Sequence, residues 1–354
     1  MIEINGGHKS GSGTIVRDAV SLSALTGQGL HITNIRTKRD KPGLRSQHLK
    51  GAEACRQICQ GRIENAKVGS KEIRFWPGER LCGGNYYFDI GTAGSTALLT
   101  SILLPISIFC EEAATFKITG GLFQDFAPSA YYLKHVLFPV LHHMGIDAEL
   151  KILQAGYYPK GHGSIQVKTV QLRQKLHPIT LLEQGEVLRI DGFALSSLLE
   201  ERKVSDRMAE ACQISLRAKG YNPAIRVIYD TKQNPTFNKV SIQAGASLAI
   251  WAKTENKCLI GSDMAGALKR SAENIGKQVA INLIDDLETG ATVDRYLADQ
   301  LIPFCALADG TSEYLIPRVT QHVETRLWLV EEILGAKTQI KDNRVIIKGI
   351  GYQR

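Results

Sequence analysis

His322 stands where its chemistry could be used. It precedes the apolar series Val323, Leu327, Val330, Ile333 and Leu334, whose spacing predicts a helix, and Thr320 with Gln321 gives that helix a polar start. His322 therefore falls in the first turn, where free backbone N–H groups and the positive end of the helix dipole favour an anion by about 0.3–1 kcal/mol per charge when exposed. Imidazole can form covalent intermediates, so a phosphate held there would meet a nucleophile. A lone histidine at a helix start also serves as a cap or a surface residue, and nothing local separates the two readings.

Further segments could meet the same anion. Gly11 to Gly13 and Gly91 to Ser95 each open a helix with small residues that leave backbone N–H groups accessible, although neither matches a Walker or dinucleotide fingerprint and both also suit ordinary caps. Between them Arg36, Lys38, Arg39, Lys41 and Arg45 crowd around a Pro42-Gly43 turn. Guanidinium groups grip phosphate oxygens as two-toothed forks, so this loop suits a nucleotide or an RNA end, with a solvated basic loop as the plain alternative. Gln47 and His48 then open another helix.

The elements that must carry these residues follow from the wider pattern. The chain has 354 residues, 44% of them hydrophobic, enough for a substantial core and for two domains or one with an insertion. Its 43 Lys and Arg against 35 Asp and Glu give +8, which favours a polyanionic partner without naming one. The seven cysteines are scattered with no CxxC pair, which argues against a disulfide scaffold or a thiolate zinc site. No apolar run approaches the roughly 18 residues of a membrane span and no signal core opens the chain, so no membrane association and a cytoplasmic location are expected.

A glycine-rich or small-residue start, an apolar helix and a strand recur before residue 170: GGHKSGSGTIVRDAVSLSALTG with LHITNIR, GTAGSTALLTSILLPISIFCEE with ATFKITGG, and PSAYYLKHVLFPVLHHMG with DAELKILQAG. They predict three sheet-plus-helix units. GYYPKGHGS reads as a turn. After Leu182 the pattern changes to alternating strands and helices, which predicts a smaller α/β domain over 185–291, flanked by a large domain of 1–184 and 292–354. LGAKTQIKDNRVIIKG closes the chain as an edge hairpin.

Several stretches together, in order and across essentially the whole chain, resemble the RNA 3′-terminal phosphate cyclase family: IVRDAVSLSALTGQGLHITNIRTKRDKPGLRSQHL, the GTAGS turn, GYYPKGHGS, and VDRYLADQLIPFCALADG leading to QHVET. The resemblance implies an α/β (α+β) fold of three β-α-β-α-β-β units with a small α/β domain inserted between the third unit and the closing segment. It implies ATP as co-substrate with Mg²⁺ or Mn²⁺, and RNA with a 3′-phosphate end as partner. A histidine would take AMP from ATP and pass it to the RNA 3′-phosphate, and the neighbouring 2′-OH would displace AMP to leave a 2′,3′-cyclic phosphate. His322 with Thr325 matches the HxxT motif of the nucleophile. Tyr296, Asp299 and Gln300 match a YLADQ motif that holds the adenylate, Tyr296 being suited to stack on adenine. Pro128 is expected beside the nucleotide as well. Arg17, Arg36, Arg39, Gln47 and His48 match positions that face phosphates or RNA.

The sequence also departs from the family pattern. Ser10 stands where a glutamate associated with the metal is usual, leaving the metal ligands unassigned, and Thr14 stands for a glutamine. Gly120-Gly121-Leu122-Phe123 and Tyr131 replace acidic positions, His162 sits within the PKGHG turn, and Arg326 follows the HxxT threonine in place of asparagine. These changes imply weakened or altered activity. A non-catalytic RNA-binding ribosome-biogenesis factor of the same fold is the main alternative, and a small-molecule transferase of the enolpyruvyl type a poorer one.

Overall fold

The computed structural model describes residues 1–354. The first unit runs β1 (Ile2–Asn5), α1 (Gly13–Thr26), β2 (Leu30–Thr33), α2 (Ser46–Ile58), β3 (Arg62–Glu64) and β4 (Ile73–Trp76). Its four strands lie in the order β1-β2-β4-β3, with β1 and β2 parallel and β4 antiparallel to both neighbours. The second unit repeats the plan: β5 (Gly84–Asp89), α3 (Thr96–Ser107), β6 (Ala114–Gly120), a helical stretch made of α4 (Ala130–Tyr132), a π turn (Leu133–Leu137) and α5 (Phe138–His143), then β7 (Ala148–Gln154) and β8 (Gly163–Thr169). Its order, β5-β6-β8-β7, is the same.

The third unit is split. It starts with β9 (Thr180–Leu181), and the chain then leaves to build β10 (Val187–Ser197), α6 (Val204–Arg217), β11 (Ala224–Asp230), β12 (Gly245–Thr254), β13 (Leu259–Ala265) and α7 (Ala272–Glu288). The chain returns through α8 (Leu297–Gln300), α9 (Ile302–Leu307), β14 (Thr311–Leu315), α10 (Gln321–Leu334), β15 (Lys337–Lys341) and β16 (Arg344–Lys348). The sheet β9-β14-β16-β15 reproduces the order of the other two, and β9 pairs parallel with β14 through Thr180 and Leu181. The excursion forms its own sheet, β11-β10-β12-β13, and a second core of 18 buried residues.

Two expectations from the sequence change here. Only two units are complete before residue 170, because the helix-then-strand pattern occurs twice within a unit and spacing alone does not say which strands pair. The insertion lies inside the third unit, after its first strand, rather than behind that unit.

Helix α1 is the hub. It packs against α2, α3 and α10, and Ile15, Val16, Val20, Leu22 and Leu25 along it are almost fully buried, each contributing about 1.5–3 kcal/mol. Ser12 caps its start by accepting the Thr14 N–H, and Gly27 at φ +73° ends it in the left-handed conformation glycine adopts readily. All seven cysteines are free thiols. No helix is long and apolar enough to cross a membrane.

Candidate active site

The start of α10 is built as its sequence predicts. The Thr320 hydroxyl accepts the Val323 N–H, which places His322 in the first turn with solvent access. Thr325, one turn on, donates to Gln321 O and accepts the Ser10 N–H at 3.2 Å, which fastens the glycine-rich turn of the first unit to α10 of the third. Ser10 is 6% exposed, and its hydroxyl meets the Ser12 hydroxyl at 2.9 Å.

These ties bring the starts of α1 and α10 together. His322 Nδ1 lies 3.1 Å from Thr14 Oγ1, and Arg17 Nη2 donates to the same oxygen at 2.9 Å. Thr14 is buried, so it acts as a fixed post for the imidazole. Beneath the ring, Arg326 donates through Nε to Asp18 Oδ2 at 2.7 Å, and its Nη1 lies 3.3 Å from Asp299 Oδ2. Packing around His322 lowers its pKa; Asp299 and Asp18 act to raise it, and Arg326 and Arg17 to lower it further. The neutral, nucleophilic form thus extends to more acidic pH than in a free imidazole. Arg17 is itself lowered to about 10, mainly by burial. Asp299 is raised, again by burial first, with Arg326 and His322 opposing.

A second layer carries the remaining residues expected to face phosphates. His48 is 4% exposed and its pKa falls to about 2 through burial and the nearby Arg17, Arg36 and Arg45. It is neutral, and its Nδ1 accepts the Arg45 N–H at 3.2 Å. Its ring leans on Gly13, where a Cβ would collide with Nε2. Gln47 Oε1 accepts the Ser95 N–H at 3.4 Å, joining the first glycine-rich helix start to the second. Arg36 sits at φ +55° and spends Nη1 on Lys41 O and Gly43 O, at 2.7 and 2.9 Å, so it shapes its own loop. Arg39 is exposed at the rim.

Tyr296 and Pro128 lie elsewhere, at the boundary with the inserted sheet. Tyr296 meets Tyr132 edge-on at 5.8 Å, and Asp263 from β13 acts on it while also accepting the N–H of Ser129, next to Pro128, at 2.6 Å. Asp299 is three residues beyond Tyr296 along α8, a rise of about 4.5 Å, so α8 leads from this boundary to His322. Gln300 is turned inward. Its Nε2 donates to Tyr296 O, and its Oε1 has no protein partner beside a small void of about 10 Å³ also lined by Asp18 and Arg326.

Asp18 is the site residue absent from the sequence expectations. Its signal was an acid next to Arg17 in a helix whose other residues are apolar or small, since a buried carboxylate requires a cation or several donors. The partner, Arg326, is 308 residues away.

The donors present do not form a protein-held metal site. No three His, Cys, Asp or Glu converge, Ser10 offers only a hydroxyl already engaged with Ser12, and Asp18 and Asp299 are both engaged by Arg326. A divalent ion prefers several carboxylate or carbonyl oxygens, which this pocket does not assemble.

Three like units meet at one buried helix, with an accessible imidazole beside Arg17 and the buried Arg326, which defines an α/β protein of repeated units with a polar site at their junction. The family model described as RNA 3′-terminal phosphate cyclase matches residues 8–340. The RNA 3′-terminal phosphate cyclase of Pyrococcus furiosus is 36% identical over 345 residues, covering 96% of this chain and 95% of that protein. The proteins of the same name from Methanosarcina barkeri and Desulfurococcus amylolyticus are 38% and 33% identical, over 96% and 100% of this chain and 97% and 99% of theirs. The chain belongs to the RNA 3′-terminal phosphate cyclase family. Among solved structures, the enolpyruvyl transferase NikO from Streptomyces tendae aligns at 11% identity with a TM-score of 0.27, over 98% of this chain and 81% of that one.

Proposed function

We propose that this chain converts RNA 3′-phosphate ends to 2′,3′-cyclic phosphates, using ATP and a covalent intermediate on His322. The observation that carries the reading is the contact between His322 Nδ1 and Thr14 Oγ1 at 3.1 Å. With Nδ1–H donating to Thr14, the lone pair is on Nε2, at a helix start where backbone N–H groups favour phosphate. The Arg17 guanidinium, also bonded to Thr14, sits beside the position where a transferring phosphate gains charge.

The steps balance as two displacements at the α-phosphorus of ATP and one at the RNA phosphate. Nε2 attacks the α-phosphorus, a P–N bond forms, and the bond to the bridging oxygen breaks to release pyrophosphate. An oxygen of the RNA 3′-phosphate then attacks that phosphorus, the P–N bond breaks, and the electron pair returns to Nε2. Finally the vicinal 2′-OH attacks the activated RNA phosphate, losing its proton, and AMP departs as the cyclic phosphate closes. Positioning and electrostatics carry most of such phosphoryl chemistry. Mg²⁺ or Mn²⁺ fits this chain as a companion of the ATP phosphates, with no step assigned to it. Tyr296 and Pro128 are the proposed adenine neighbours, with α8 leading from them to Asp299 and His322.

An RNA oligonucleotide with a labelled 3′-phosphate, incubated with ATP and Mg²⁺ or Mn²⁺, tests the activity. The expected product keeps its label after phosphatase treatment, because a cyclic diester has no terminal monoester. Full release of the label by phosphatase, despite RNA binding, overturns the cyclase reading.

A further inference from the structure

We infer that RNA upstream of the reacting end lies in a groove between the second unit and the inserted sheet, built from Tyr158, Lys160, Arg202, Leu268 and Lys269. This inference rests on the proposed RNA substrate and adds the path of the strand. The groove has a volume of about 590 Å³, within the range of formed ligand sites. Twenty residues line it; five are Lys or Arg and none is Asp or Glu. Arg207 and Arg270 are occupied by Glu273 and Asp125 at 2.6 and 2.9 Å. Lys160, Arg202 and Lys269 are exposed and make no ion pair, so this wall presents uncompensated positive charge.

The apolar surface here is equally unusual. The three most exposed large hydrophobic side chains of the protein are Phe126 at 104%, Leu268 at 98% and Tyr158 at 75%. Tyr158 and Leu268 line the groove, and Phe126 follows Asp125, which is paired to the groove residue Arg270. Folding alone gives no reason to gather them at one junction. Unpaired cations between exposed aromatic and aliphatic side chains are what single-stranded nucleic acid requires, with phosphates on the cations and bases stacked on the apolar faces.

The groove is linked to the candidate active site through packed turns. Gly161, one residue past Lys160, is packed on the second glycine-rich turn, where a Cβ would lie 2.8 Å from Ala93 Cα. That turn meets Gln47 through Gly94 and the Ser95 N–H, and Gln47 precedes His48, whose ring leans on Gly13 beside Thr14. A strand whose 3′ end is at His322 would cross these turns to enter the groove.

The test compares 3′-phosphorylated RNAs of three and about ten nucleotides by direct binding without ATP, a length within the footprint of single-strand binding folds. The wild-type chain should bind the longer RNA at least about tenfold more tightly, and Lys160→Glu combined with Lys269→Glu should remove most of that advantage. The log–log salt slope for the longer RNA should fall by about 1.4, roughly 0.7 for each phosphate that the double variant no longer neutralises. In the wild-type chain, 4-thiouridine placed upstream of the terminal three nucleotides should cross-link to peptides containing Tyr158 or Leu268. Equal affinity for both RNAs, an unchanged slope in the double variant, or cross-links confined to other surfaces would each overturn the groove. If neither RNA binds, the RNA reading itself fails, so the two failures are distinguishable.

Discussion

The junction of α1 with α10 and the groove beside Tyr158 both hold cations, and they differ in how many of them are matched: in the groove Arg207 and Arg270 are paired, but three further cations are not. At the first, Arg326 is matched to Asp18 and Asp299, and Arg17 is bonded to Thr14, so the cations hold a geometry. At the second, Lys160, Arg202 and Lys269 face solvent with no carboxylate among the lining residues. Charge neutralised inside the fold positions groups that act on a ligand, whereas charge left unmatched at an accessible surface contributes by displacing the counterions of a polyanion. The division suits the proposed reaction, which would fix one phosphorus atom while tolerating a variable strand.

The largest effect that would break this comparison lies at Arg326. Arg326→Ala leaves Asp18 buried without its cation, and thermal or urea unfolding should show a loss of about 3–5 kcal/mol. Adding Asp18→Leu should recover a substantial part of that loss, because the stranded charge is then removed. A single variant as stable as the wild type would show that the pair does not hold the junction.

A smaller effect is expected at the rim. Arg39→Ala should reduce RNA affinity and lower the salt slope by about 0.7, leaving unfolding within about 0.5 kcal/mol of wild type. Arg36→Ala should differ by also destabilising the loop, since Nη1 holds Lys41 O and Gly43 O, and limited proteolysis at residues 36–45 would report it. Equal protease resistance in the two variants would remove the distinction between a positioning arginine and a binding one.

The smallest and most diagnostic effect is on pH. In the proposed reaction His322 would attack only when neutral, so the rate of its modification should fall as pH drops through its pKa. That pKa is lowered by packing and raised in part by Asp299. Asp299→Asn removes a raising influence and should move the acid limb to lower pH; Arg17→Gln removes a lowering one and should move it to higher pH. Shifts in the same direction, read from the limb and not from the maximal rate, would contradict the electrostatic arrangement.

What was legible in the sequence follows from the range of the interactions. His322, its polar cap and Thr325 were readable because a helix start is specified within a few residues. The change in pattern after Leu182 lies where the chain leaves β9 for β10. The membership of strands in units was not readable, since β9 consists of only Thr180 and Leu181 and finds its partner β14 across the whole insertion. The family motifs named Arg36 and Gln300 but could not show that one shapes its loop and the other turns inward. Asp18 was missed because its meaning depends on Arg326, and a buried pair separated by most of the chain leaves no periodic trace.

Central to the whole account is whether His322 becomes covalently modified. Incubation of the protein with α-labelled ATP and Mg²⁺ or Mn²⁺, without RNA, should leave label that is lost in acid and survives mild alkali, as a phosphoramidate to imidazole does. His322→Asn, which keeps a polar group at the helix start, should carry no label while unfolding as the wild type does. Label retained in that variant, or a wild-type protein that binds ATP and RNA yet never acquires acid-labile label, would contradict the account and favour a non-catalytic RNA-binding role for the same fold.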